Sequence, residues 1–121
     1  MKKYLFRTAM FGSLLLTAPA QAEDSAKVLL ENIDGPDQTK SSLSLLLLHS
    51  MGAGMVWSNA LLANLEQPLM FCQPKKLSIN GRQYLAILRT YVESNPSEAE
   101  LPVGLVLLAG LRATYPCTLD N

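Results

Sequence analysis

Two cysteines, Cys72 and Cys117, bracket the C-terminal half of this chain, and it contains no others. What they do depends on the compartment, and the first residues speak to that. Lys2, Lys3 and Arg7 precede an apolar run over residues 9–16, and Pro19-Ala20-Gln21-Ala22 offers a small-residue cleavage site. This is the layout of a secretory signal peptide. A membrane-spanning anchor needs about 20 apolar residues, and this run is far shorter. Cleavage after Ala22 is predicted, with delivery to a Gram-negative periplasm and no cysteine at the cut to carry a lipid, so no membrane anchor is expected in the mature chain. In an oxidising compartment two cysteines default to a disulfide. The loop closed would hold about 46 residues, which on the chain-entropy model stabilises by roughly 4 kcal/mol. A metal site is a poor alternative, because two cysteines and the one distant His49 do not make a ligand set. A catalytic thiol is equally poor, since His49 is the one histidine that could serve as its base.

Removing 22 of the 121 residues leaves 99, enough for one domain, residues 23–121. Lys2, Lys3 and Arg7 leave with the signal, so Lys plus Arg falls from 10 to 7 against 10 Asp plus Glu. That balance argues against a nucleic-acid partner, which wants a basic patch. A domain this small buries a limited core and gains from a staple or a partner subunit.

The patterning is helical, and no alternating run long enough for a sheet is present. Residues 25–32 form a short apolar-faced segment, stopped by the turn cluster Asp34-Gly35-Pro36-Asp37. Residues 39–42 then supply N-cap candidates. Residues 41–65 contain no Asp, Glu, Lys or Arg. Ser44, His49, Ser50, Ser58, Asn59 and Asn64 interrupt that stretch, which favours a buried helix over a membrane span. Ser50, Gly52, Ala53 and Gly54 mark a thin waist, where either another helix packs closely or the segment bends. Two pieces are expected, 41–50 and 54–66.

After Gln67-Pro68 and a connector, Asn80 and Gln83 have capping-box spacing. The helix that follows carries a Leu85, Leu88, Val92 stripe flanked by Tyr84, Ile87 and Tyr91, with Arg82, Arg89 and Glu93 outward. Asn95-Pro96 stops it. A last helix over 102–114 is apolar nearly all round and has one charge, Arg112, so it should be buried on every side. A chain of this size has trouble covering both that helix and 41–65. The expectation is an all-α bundle of four to five helices with one disulfide, dimeric through surfaces including Gly54, Trp57, Leu105 and Leu108.

For chemistry the chain offers little. It has no paired-carboxylate motif, phosphate-binding glycine loop or Ser/His/Asp signature, and Gly52-Ala53-Gly54 reads as a helix contact. His49 reads as an ordinary surface or core histidine, Trp57 as a packing residue and Lys75-Lys76 as a solvated turn. No enzyme activity and no cofactor are expected. Two candidate contact surfaces remain. One is the polar, acidic turn over 93–100, with Glu93, Ser94, Asn95, Ser97, Glu98 and Glu100, read as a rigid protruding plug. The other is the outward face of the preceding helix, with Arg82, Gln83 and Arg89.

Residues 71–117 resemble the Rap/Tai family of periplasmic immunity proteins, which protect bacteria from peptidoglycan amidases delivered by type VI secretion. The similar elements are Phe71-Cys72-Gln73-Pro74, then Ser78-x-x-Gly81-Arg82-Gln83, a helix ending in Tyr91, the Asn95-Pro96 turn, and Leu111-Arg112-x-x-Tyr115-Pro116-Cys117. The resemblance covers about 47 of 99 mature residues, and residues 23–70 carry no matching motif. It implies an all-helical dimer that blocks the cleft of a small papain-like Cys-His amidase. A second reading is an acid-stress chaperone of the HdeA-like kind, also short, secreted, helical and disulfide-bonded. Such a chaperone needs many titratable surface groups, and this chain has few.

Overall fold

The computed structural model describes residues 23–118; the expected signal segment 1–22 and the last three residues lie outside the described residues. Among the described residues there are four α-helices and one 3-10 turn, with no strand beyond an isolated bridge between Ser25 and Pro102.

Helix α1 spans Ala26–Asp34, and the Ser25 side chain caps it by accepting from the Val28 N–H at 3.3 Å. Ala26 and Leu29 turn inward. Gly35 and Pro36 end it, as the turn cluster predicts. Helix α2 is Gln38–Asn64, capped by the Asp37 carboxylate, which accepts from Thr39 and Lys40 N–H at 3.0 and 3.1 Å. The cap therefore precedes the expected 39–42 set. Ser41 has other work: its hydroxyl donates to the Ile33 carbonyl at 2.8 Å and stitches the end of α1 to the start of α2.

The expected division of 41–66 into two pieces is wrong, because α2 runs unbroken for 27 residues. The physical reason lies at Gly52. A Cβ there would collide with the ring of Tyr84, a fully buried residue of the facing helix. The glycine serves the first alternative, close helix packing, and the backbone has no need to bend. Ser50 and Ser58 keep their hydroxyls inside the helix, donating to the carbonyls of Leu46 and Gly54 at 2.9 Å each. Glu66 then takes a left-handed conformation (φ 53°) while the Gln67 N–H reaches back to the Leu62 carbonyl at 2.9 Å, which closes the helix.

Helix α3 spans Gly81–Ser94, and its capping box is as expected: Asn80 and Gln83 exchange side chain-to-backbone bonds at 3.0 and 2.8 Å. Its buried residues are Tyr84, Ile87 and Leu88, so the core stripe is centred one step away from the Leu85, Leu88, Val92 line. A 3-10 turn, Pro96–Glu100, leads through Leu101 and Pro102 into α4, Val103–Thr114. Val103, Val106, Leu107 and Leu111 are fully buried, while Leu105 and Arg112 are exposed, so α4 is not covered on every side. Gly110 lets α3 and α4 close up, since a Cβ there would lie 3.0 Å from Ile87 Cγ2.

Two long-range ties finish the bundle. The segment before α1 lies along the start of α4: Ala26 N–H donates to Leu101 carbonyl and Val103 N–H to Asp24 carbonyl, both at 3.0 Å. Glu23 accepts from Gly104 N–H at 3.1 Å, so a carboxylate from the far end of the chain serves a helix N-terminus that has no side-chain cap of its own. The second tie is the Cys72–Cys117 disulfide, Cα–Cα 4.9 Å, with Cys72 N–H donating to Tyr115 carbonyl at 2.8 Å.

Candidate protein-binding surfaces

The Asn95-Pro96 corner is built from the inside. Tyr91, near the end of α3, donates its hydroxyl to Glu98 at 2.9 Å, and Asn95 Nδ2 donates to the Tyr91 carbonyl at 3.0 Å. The Glu98 hydrogen bond, with burial adding, holds the Tyr91 phenol above its ordinary pKa. Across the interface to α1, Lys27 Nζ pairs with Glu100 at 2.9 Å. That hydrogen bond, with the charges of Glu100 and Glu31, raises the Lys27 pKa. Two turns further along α1, Asp34 takes a bidentate pair from Arg89, which lowers the Asp34 pKa and raises that of Arg89.

The turn is therefore anchored at its base, although none of its residues is fully buried. It packs on α1 and α3, with Glu98 and Glu100 each held by a side chain of those helices. Glu93, Ser94, Ser97 and Glu100 face solvent, and Asn95 and Glu98 are half-buried. Arg89 joins this end of the molecule through Asp34, as part of the scaffold rather than an outward arm. Arg82 and Gln83 lie at the opposite end of α3, about 20 Å away along its axis. Gln83 is committed to the capping box, and Arg82 borders an open groove of about 640 Å³ with Leu45, Leu46 and His49. The expected partner surface thus divides in two. His49 is exposed, its ring 6.2 Å from that of Tyr84 and tilted by 57°. Among the described residues no group of three or more His, Cys, Asp or Glu could hold a metal ion.

No family model, curated protein or solved structure matches this chain.

The exposed side of α2 departs from the sequence expectation. The lack of charge over residues 41–65 predicts burial, yet α2 packs through a narrow line of Ser44, Leu48, Gly52 and Asn59 and leaves its other side open. At 27 residues it is about 40 Å long, against 9, 14 and 12 residues for its neighbours, which are too short to cover it. Leu43 is 60% exposed, Leu47 44%, Leu61 59%, Leu65 58% and Trp57 75%. By length and composition α2 could cross a membrane. Its buried line opposes that: Asn59 holds the connector with two hydrogen bonds, and α1 and α3, which carry charged residues, pack on the same side. Of the residues expected at a dimer contact, Gly54 and Trp57 lie on this open side. Leu105 is exposed on α4, and Leu108 is half-buried against the core.

Proposed function

We propose that this protein is a periplasmic immunity protein, a non-enzymatic inhibitor that binds a type VI peptidoglycan amidase of the papain-like Cys-His class and occludes its cleft. The observation that carries the reading is the pinned acidic corner. Glu98 and Glu100 are held in fixed positions by Tyr91 and Lys27, between two helices whose far ends are joined through the disulfide. A carboxylate pair fixed before binding loses little entropy on docking. It also suits a cleft shaped for a peptide stem bearing carboxylates. The ordered resemblance across residues 71–117 points the same way, and the expected signal peptide would place the protein where such amidases act.

The test is inhibition of purified type VI amidases in a stem-peptide release assay, with affinity by calorimetry. Glu98→Gln with Glu100→Gln should weaken inhibition at least about tenfold, the scale of losing one or two charge pairs at an interface. Lys75→Glu with Lys76→Glu, on the connector, should change it little. Failure to inhibit any amidase of the class, or loss with the connector variant alone, overturns the reading. The open apolar side of α2 favours one other function, chaperone-like capture of unfolded chains. Suppression of client aggregation at acid pH by the wild-type protein would support it.

A further inference from the structure

The two glycines of α2 differ in what surrounds them. Gly52 is under the Tyr84 ring, but Gly54 is exposed and a Cβ there would meet nothing within 4 Å. Nothing in the described fold requires Gly54 to lack a side chain, although glycine in a helix interior is unfavourable. A close approach from outside would require it.

The residues around Gly54 say what approaches. Ser50 and Ser58 stand four positions before and after it, Leu47 and Leu61 seven, Leu43 and Leu65 eleven. At 100° per residue these six fall within about 40° of the direction of Gly54. The outer face of α2 is thus a palindrome of residue types about one glycine: leucine, leucine, serine, glycine, serine, leucine, leucine. An isologous contact brings position 54 + k of one copy against 54 − k of the other, and a twofold contact needs a self-complementary surface. The face has no charge to repel its own image, because residues 41–65 carry none.

We propose that α2 is a homodimer helix, two copies crossing antiparallel with the twofold axis at Gly54. Leu47 then packs on Leu61 of the second copy and Leu43 on Leu65, the serines and glycine form the close crossing, and Trp57 lies beside the seam near Ser50 of the second copy. The exposed leucines of α2 and Trp57 together offer on the order of 600 Å² per copy. A pair would withdraw about twice that from water, above the roughly 1,000 Å² a specific interface needs. The association is independent of the inhibitor reading, which concerns a different part of the molecule.

The test uses the purified full-length product as the cell releases it. Sedimentation equilibrium from about 1 to 100 µM should show a monomer–dimer equilibrium, and emission from Trp57, the one tryptophan, should shift to the blue as the dimer forms. Leu61→Glu, on an exposed position, should raise the dissociation constant on the order of a hundredfold by burying a charge against the partner, with an unchanged helical spectrum. Register is read by oxidation. Gly54→Cys should cross-link to itself. Leu47→Cys and Leu61→Cys should cross-link when mixed and not alone. A monomer throughout the range overturns the proposal, as does a dimer indifferent to Leu61→Glu. Self-linking of Leu47→Cys alone shows a parallel pair and overturns the register. A monomer whose Trp57 shifts only on phospholipid vesicles, or only with an unfolded client, assigns the face to that occupant instead.

Discussion

Asn59 is where a single substitution should do the most damage for its size. Its side chain is buried between α2 and the connector, accepting from Met70 N–H at 2.8 Å and donating to Phe71 carbonyl at 2.7 Å. Those two bonds set the path of the chain into fully buried Phe71 and on to Cys72. Asn59→Ala leaves one backbone donor and one acceptor without partners, at about 1–3 kcal/mol each when buried. Met70 is half-buried and recovers part of its loss from water, and alanine returns about 0.5 kcal/mol of helix propensity. The net expectation is a loss of about 3 kcal/mol, or roughly 12–24 °C in Tm for a domain near 100 residues. Thermal and urea unfolding by circular dichroism measure it, with exposed Asn64→Ala in the same helix as control. A loss no larger than that control refutes the reasoning.

Asn59→Asp gives the same argument a sign. The introduced carboxylate still accepts from Met70 but presents lone pairs to the Phe71 carbonyl. Burial and that carbonyl raise its folded pKa above the unfolded value of about 3.9. A raised folded pKa means stability is whole below the unfolded value and is lost as pH rises through the folded one. Relative to wild type, the variant should therefore recover on acidification. A deficit that grows toward low pH would sink the geometry.

Gly52→Ala should cost about 1–2 kcal/mol net, overpacking against Tyr84 partly offset by better helix propensity. Gly54→Ala in dilute, monomeric protein should instead gain up to about 1 kcal/mol. Parallel denaturation curves settle it, and equal effects at the two sites would contradict the packing described. At the α1–α3 contact, Arg89 holds the Asp34 carboxyl below its usual 3.8. This contribution is whole above the unfolded pKa and disappears as pH falls through the folded one. Asp34→Asn should flatten the acid limb of stability against pH, and an unchanged limb would show the pair contributes nothing.

The helical content, the α3 capping box, the stop at Asn95-Pro96 and the disulfide partners were legible because each is written locally or by elimination. Asn80 and Gln83 sit three residues apart, and the chain has two cysteines to pair. The lashing of residues 23–26 along the start of α4 was not legible, because hydrogen bonds between positions nearly 80 residues apart leave no periodic trace. The Lys27–Glu100 pair spans 73 residues and is hidden for the same reason, while the Tyr91–Glu98 bond spans seven across the Asn95-Pro96 break, outside any helical periodicity. In the sequence Asn59 is one more polar interruption of an apolar run. In α2 the difficulty was contrast. A helix that is apolar on all sides has no polar face to mark which side is packed, so lack of charge does not distinguish a buried side from an open one.

Gly52 and Gly54 show how far that ambiguity goes. They are the same residue, two positions apart, and therefore about 200° apart around the helix. Read in sequence they make one waist, and a waist suggests a bend. Placed on an unbroken helix they make two separate statements about two opposite sides. Inside, the missing side chain admits Tyr84, and the contact fixes how closely α3 approaches. Outside, the missing side chain admits nothing within the described chain, yet a palindrome of leucines and serines is centred on it. Each glycine disfavours the helix by a similar amount, so composition alone cannot separate them. Only the inner one is explained by the folding of a single copy. The outer one is explained once a second helix lies across it.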